Sequence, residues 1–114
     1  MLDASGFLEF VHLPSYVNSA KDVLGDDEQR WLESTLVADP QAGARIAGTG
    51  GVRKIRVALA GRGQSGGARV IYYYRAQRGR VYLLLAYTKN VRASITQGEK
   101  NAMRQLVARL EGET

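Results

Sequence analysis

Cysteine is absent from the sequence, and this absence excludes two kinds of site. A chain of 114 residues without thiols forms no disulfides and no metal sites with thiolate ligands. Long apolar runs are missing as well, because the longest, residues 81–87, is far shorter than the roughly 18 residues of a membrane span. Asp3 and Glu9 stand where a signal peptide would need a basic start and an apolar stretch. We therefore expect a cytoplasmic protein without a membrane partner.

Acidic residues are absent from the middle of the chain. Residues 1–39 carry eight acidic and two basic side chains, whereas residues 40–98 carry eleven basic side chains and no acidic one. Nine of these eleven are arginines, whose planar guanidinium can bind phosphate through two parallel hydrogen bonds. A charge run is often only a solvated surface, but one of this length favours a polyanionic ligand.

The length and the hydrophobic content of 45% predict a single domain, residues 1–114. The patterning predicts an α+β fold in the order βααβββα, with an acidic helical hairpin after the first strand and a terminal helix opened by a capping box of Thr96 and Glu99. Trp31 is predicted to be buried in the hairpin. The last three strands, about residues 52–59, 68–76 and 80–88, should form a small antiparallel sheet with the helices on one face.

Strand alternation predicts which side chains share a face of this sheet. Ile55 and Val57 lie on one side of their strand, and Lys54 and Arg56 lie on the other. Arg69 at the start of the next strand should join this basic pair on the face opposite the helices. On the following residues, Tyr72 and Tyr74 are expected in the core, whereas Tyr73 and Tyr87 are candidates for stacking on nucleic-acid bases.

Gly61, Gly63 and Gly66 fit the dinucleotide-binding pattern G-x-G-x-x-G. In that motif the glycine turn ends at the N-terminus of a helix, whose free N–H groups bind the phosphates. Here the glycines are followed by A-R-V-I-Y-Y-Y-R, which is typical of a strand. We therefore interpret the segment as a basic hairpin connection and not as a nucleotide site.

Three blocks of sequence carry a resemblance to a known family. They are R-K-I-R, then G-R-G-Q-S-G-G-A-R-V-I-Y-Y-Y, then Y-L-L-L-A-Y-T-K-N, followed by an amphipathic terminal helix. This combination resembles the RelE/HigB superfamily of type II toxin–antitoxin toxins over nearly the whole chain. The resemblance implies an endoribonuclease that cleaves mRNA in the ribosomal A site. It also implies a cognate antitoxin, expected to be a helix-turn-helix protein from a neighbouring gene.

The same resemblance implies the site residues. The positions that correspond to the catalytic residues of the family are Lys54, Arg56, Arg69 and Lys89. The further residues expected to bind RNA are Arg53, Arg62, Tyr73, Tyr87, Asn90 and Arg92. Many relatives have a tyrosine or histidine near the start of the last helix, but residues 93–96 contain neither, so the general acid or base is left open.

No metal or other cofactor is expected for this chemistry. RNA can cleave itself when its 2′-OH attacks the adjacent phosphate, so an enzyme has chiefly to align the attack and stabilise the developing charge. Arginines can supply that stabilisation, and Lys54, flanked by Arg53 and Arg56, is a candidate base.

Two alternatives to the nuclease remain open. A non-enzymatic toxin of the same superfold, like the ParE branch, would inhibit DNA gyrase by binding, and the missing tyrosine or histidine favours it. The convergence of Lys54, Arg56 and Arg69 on one face favours the nuclease. An RNA-binding protein without toxicity is the third possibility.

Overall fold

The computed structural model describes residues 8–59 and 67–112 of the chain. Its described strands form one five-stranded sheet, and the α+β class is confirmed. The elements are β1 Glu9–His12, α1 Pro14–Ala20, α2 Asp26–Ala38, β2 Ala44–Arg45, β3 Arg53–Val57, β4 Ala68–Arg75, a 3-10 turn Ala76–Arg78, β5 Arg80–Thr88 and α3 Gln97–Glu111. The order of the predicted elements is correct, and the two-residue β2 is additional.

The strands lie in the order β1-β5-β4-β3-β2. The three long strands β3, β4 and β5 are antiparallel neighbours, as predicted. The first strand does not begin a separate unit but adds to the far edge of the sheet, parallel to β5, with Glu9 opposite Arg80 and His12 opposite Leu83. A charged pair supports this edge, since Arg80 Nε donates to Glu9 Oε1 at 2.8 Å.

Helices cover both faces of the sheet, and the prediction that they share one face is wrong. The hairpin of α1 and α2 packs through Tyr16, Leu32 and Leu36 on the face that carries Val70 and Tyr72. On the opposite face, α3 contributes Met103, Val107 and Leu110 to a second core that contains Ile71, Tyr73 and Leu84. The physical reason is that β4 and β5 are apolar on both sides, so each side needs a cover.

Both ends of α3 are fixed by polar contacts. At its start the predicted capping box is confirmed, because the Thr96 hydroxyl accepts from Glu99 N at 3.1 Å and the Glu99 carboxylate accepts from Thr96 N at 2.8 Å. At its end the Tyr73 hydroxyl donates to the Glu111 carboxylate. Burial and the neighbouring Glu111 carboxylate raise the pKa of Tyr73 to about 12. These contacts hold the two ends of α3 in place beside the second face of the sheet.

The outer side of the helical hairpin is more apolar than the sequence suggested. Trp31 is 47% exposed, so the prediction of a buried tryptophan is wrong. The inward line of α2 runs through Leu32 and Leu36, which are four residues apart and fully buried. Trp31 is one position earlier and is rotated by about 100° from that line. In the described part of the chain, no helix has the length and apolar character needed to cross a membrane.

Candidate nucleic-acid interface

A row of three side chains crosses the sheet on the face that α3 partly covers. Arg56 on β3 is the register partner of Arg69 on β4, and Arg69 is the partner of Tyr87 on β5. Neighbouring residues in such a row have Cα atoms about 4.5–5.5 Å apart. We call Arg56, Arg69 and Tyr87 the cross-strand row. In the next row, Lys54 is the partner of Ile71.

The basic members of this surface differ in exposure. Lys54 and Arg56 are exposed, whereas Arg69 is half-buried. The predicted convergence of Lys54, Arg56 and Arg69 on one face is therefore observed in the structure. That face is not the one opposite all the helices, since α3 lies on it and leaves this corner open.

Gly67 fixes the direction in which the chain enters β4 just before Arg69. Its φ of +60° lies in the left-handed region that side chains disfavour. A Cβ atom added there would lie 2.7 Å from the Val57 carbonyl oxygen, closer than two such atoms can approach. The glycine therefore allows β4 to pair with β3 up to its first residue, Ala68 opposite Val57.

The segment after β5 returns to the same corner of the sheet. Lys89 N donates to the Gly67 carbonyl at 3.4 Å, which ties this segment to the start of β4. Lys89 and Asn90 are exposed, and Val91 is 78% exposed at the tip of the loop. Lys89 and Asn90 thus lie at the end of the sheet where the cross-strand row is found. Ile95, buried in the second core, anchors the far side of the loop.

Arg92 connects this loop to both the sheet and α3. Its Nη1 and Nη2 atoms donate to Glu99 Oε1 and Oε2 at 2.9 and 3.1 Å. Its guanidinium carbon lies over the Tyr87 ring, 4.9 Å from the centroid. Although burial acts to raise the pKa of Glu99, the hydrogen bonds from Arg92 and Thr96 outweigh it and the pKa is lowered. Burial raises the pKa of Tyr87, and the nearby cations Arg92 and Arg69 oppose that rise.

Arg53, one of the predicted RNA contacts, lies away from the basic face. Arg53 lies on the opposite side of β3 from Lys54 and donates to the carbonyls of Gln41 and Gly43 at 3.2 and 2.7 Å, so it holds the loop before β2. Strand alternation separates it from the basic face. Two flanking arginines were expected to lie close to Lys54, but only Arg56 is on the same side of the strand.

The two tyrosines expected to stack on bases are nearly buried. Tyr73 is 7% exposed, lies beside Tyr82 with ring centroids 6.4 Å apart, and uses its hydroxyl for Glu111. Tyr87 is 6% exposed because Arg92 lies over its ring. Because α3 and the loop before it cover both rings, the structure contradicts the expectation that bases stack directly on them. Arg62 and the glycines Gly61, Gly63 and Gly66 lie outside the described residues.

The sequence predicts Arg92 as an RNA contact but does not predict its partner Glu99. The capping box predicted Glu99 as a helix-start residue, and the structure shows that the same carboxylate also binds a basic side chain seven residues earlier. The available signal was one acidic residue immediately after the basic stretch of residues 40–98. The path of the loop, which brings the two together, could not be read from the pattern.

Two solved structures share this fold. A double arginine-to-alanine mutant of the E. coli toxin RelE in the free state matches with a TM-score of 0.55 and 16% identity, over 90% of this chain and 97% of that chain. The isolated E. coli RelE toxin matches with a TM-score of 0.50 and 17% identity, over 88% of this chain and 99% of that chain. The chain therefore has the α+β fold of these two structures.

A family model makes the assignment more specific. The model for the RelE toxin of the RelE/RelB toxin–antitoxin system matches residues 27–114, from α2 to the end of the chain. The chain belongs to this RelE toxin family. It is thus the toxin of a toxin–antitoxin system, and its partner is an antitoxin. The resemblance seen in the three sequence blocks is confirmed.

Proposed function

We propose that this protein is a ribosome-dependent endoribonuclease that cleaves mRNA in the A site and inhibits translation in the cytoplasm. The observation that carries the proposal is the pairing of Arg56 with Arg69 on the face that also bears Lys54. Like charges directly opposite each other in a sheet destabilise the fold, so their convergence suits a ligand that supplies negative charge. The phosphates of RNA supply it.

The residues at this corner suit cleavage by the RNA's own 2′-OH. The 2′-oxygen attacks phosphorus, the bond to the 5′-oxygen breaks, and negative charge develops on the phosphate oxygens. The guanidinium groups of Arg56 and Arg69 can stabilise that charge. Lys54 is the candidate base that takes the 2′-OH proton, and Lys89 is the candidate acid that gives a proton to the leaving 5′-oxygen. This route uses no metal.

A second candidate function is inhibition of DNA gyrase by binding, as in the ParE branch. The sequence of residues 93–96 favours it, because this segment offers no tyrosine or histidine as an acid or base. The two functions differ in their products. The nuclease generates new RNA ends, whereas the gyrase inhibitor blocks supercoiling and leaves messages intact.

Primer extension after expression without an antitoxin tests the nuclease. We expect new 5′ ends within translated reading frames and none on an untranslated copy of the same message. Equal cleavage of naked RNA would exclude dependence on the ribosome. Intact messages together with loss of gyrase supercoiling would replace the proposal by the second candidate.

Substitution of Arg69 tests the site itself. Arg69→Ala should remove most of the toxicity while the protein remains folded. Arg78→Ala is the matched control, because Arg78 is exposed in the turn at the other end of β4. Retained toxicity in folded Arg69→Ala would exclude this residue from the site.

A further inference from the structure

The guanidinium of Arg92 is held in a fixed orientation by two neighbours. Glu99 accepts from both terminal nitrogens in a bidentate pair, at 2.9 and 3.1 Å. The Tyr87 ring lies beneath the guanidinium carbon at 4.9 Å. The capping box holds Glu99 in turn, because the carboxylate also accepts from Thr96 N. The plane of this arginine is therefore set before any ligand binds.

The fixed guanidinium lies next to the proposed phosphate site. Tyr87, which supports it, is the register partner of Arg69, which pairs with Arg56. Arg92 is thus attached to the end of the cross-strand row and belongs to the same loop as Lys89. A nucleotide whose phosphate contacts Arg69 would bring its base close to Arg92.

The available surface of Arg92 favours a base over a phosphate. Glu99 already occupies the edge with which arginine usually binds phosphate in a bidentate manner. The guanidinium carbon lies over the Tyr87 ring, and 30% of the Arg92 side chain remains exposed. Unstacked RNA bases bind to guanidinium planes as well as to aromatic rings.

We propose that Arg92 is a stacking platform for one base of the bound RNA, and that Glu99 and Tyr87 act as positioning residues for it. The proposal rests on the proposed function, since it assumes RNA at the cross-strand row. It gives Tyr87 an indirect role, because the buried ring supports the cation that receives the base.

Arg92→Lys keeps the positive charge and removes the planar guanidinium group. We would measure binding of short 2′-O-methyl oligoribonucleotides, which resist cleavage, and the rate at which ribosomes programmed with mRNA are cut. Each RNA would be used intact and with a single abasic nucleotide at successive positions. Stacking is typically worth about 1–3 kcal/mol per base. We therefore expect Arg92→Lys to lose roughly tenfold for intact RNA.

The abasic RNA identifies what Arg92 contacts. Wild type should lose a similar factor when one particular base is removed, and Arg92→Lys should be insensitive to removal of that base. Arg78→Lys is the control for loss of an arginine far from the site, and it should behave as wild type. Glu99→Gln keeps an acceptor for Thr96 N but weakens the ion pair, so it should show a reduced penalty at the same abasic position.

Each outcome has a defined meaning. Equal penalties for abasic RNA in wild type and Arg92→Lys, at every position, would overturn the stacking proposal and leave the nuclease proposal intact. If wild type neither binds the oligomers nor cuts programmed ribosomes, both proposals fail. An abasic penalty that disappears only in Arg92→Lys and falls in Glu99→Gln would establish the platform and its positioning residue.

Discussion

Arg56 and Arg69 are direct register partners in adjacent antiparallel strands of this RelE-family toxin. Two cations at this spacing repel each other, and the cost is reduced when an anion lies between them. The pair is therefore the centre of the anion-binding site that we propose. Lys54 in the next row and Lys89 after β5 extend the same surface.

Replacing Gly67 should destabilise the toxin through a backbone clash. Gly67→Ala puts a side chain at a φ of +60° and a Cβ atom 2.7 Å from the Val57 carbonyl oxygen. Gly48→Ala is the matched control, because Gly48 also has a positive φ of +81° but a Cβ atom there meets nothing within 4 Å. The control should lose about 1–2 kcal/mol in the free energy of unfolding, the usual cost of the left-handed conformation. Chemical denaturation should show a clearly larger loss for Gly67→Ala, and equal losses would contradict the clash.

Tyr73→Phe should weaken the attachment of the α3 C-terminus. The substitution removes the hydroxyl that donates to Glu111. A hydrogen bond to a charged group contributes about 1.5–3 kcal/mol. We expect a loss of this order in thermal or urea unfolding, with toxicity retained because the ring is buried and lies away from the proposed RNA surface. Tyr74→Phe, on the other side of the same strand, is the comparison. Loss of toxicity in a stable Tyr73→Phe protein would restore this residue as an RNA contact.

The raised pKa of Tyr73 predicts an alkaline limit of stability. Burial raises it to about 12 from an ordinary value near 10. A group that holds its proton more tightly when folded stabilises the fold below its unfolded pKa, and the contribution is lost as pH rises through the folded pKa. The urea midpoint of wild type should therefore fall between about pH 10 and 12, and less steeply in Tyr73→Phe. The same slope in both proteins would assign the alkaline loss to other groups.

The lowered pKa of Glu99 predicts a loss of stability at acid pH, whereas the raised pKa of Tyr73 predicts a loss at alkaline pH. Its pKa is lowered in the fold, so its contribution is complete above the unfolded pKa of about 4.3 and disappears as pH falls through the folded value. The difference in melting temperature between wild type and Glu99→Gln should be largest near neutral pH and vanish under acid conditions. Arg92→Ala should remove most of that difference, because the two side chains share one ion pair. A difference that does not change with pH would show that the ion pair contributes nothing measurable.

Salt should reveal how the antitoxin covers the toxin. Lys54 and Arg56 are exposed, whereas Met103 and Leu110 are buried between α3 and the sheet. An acidic segment that crosses the basic face needs no displacement of α3, so we expect this mode. The dissociation constant should then rise steeply with salt and become less salt-dependent in a Lys54→Gln, Arg56→Gln double variant. Salt-independent binding would favour an apolar segment that replaces α3.

Sequence patterns were sufficient for the basic face and insufficient for what covers it. The alternation in β3 fixes Lys54 and Arg56 on one side, because a period of two leaves no other arrangement within the strand. Arg69 joins them through the register that pairs it with Arg56. The same alternation separates Arg53 from them. The position of α3 depends on which apolar face each helix covers, and β4 and β5 offer two. Burial of Tyr73 and Tyr87 follows from that choice and could not be read from either strand alone.

The structure of the acidic helical hairpin was also only partly predictable from the sequence. Its helices were predictable from Pro14 and from the apolar spacing, but the exposure of Trp31 depends on a rotation of one residue about the α2 axis. The contact between Arg92 and Glu99 depends on the course of a loop with few regular hydrogen bonds. Local propensity determines elements, whereas such contacts are decided by the tertiary arrangement.

The parallel pairing of β1 with β5 has a consequence for synthesis of the toxin. Residues Glu9–His12 find their partners only at Arg80–Leu83, so β1 must wait for the synthesis of β5 before it can dock. Contacts between such distant segments form slowly, since a long loop has to close first. The same late strand carries Tyr87, which completes the cross-strand row. The corner proposed to bind RNA is therefore complete only after β5 has been synthesised, and an antitoxin already present can meet each new molecule as it matures.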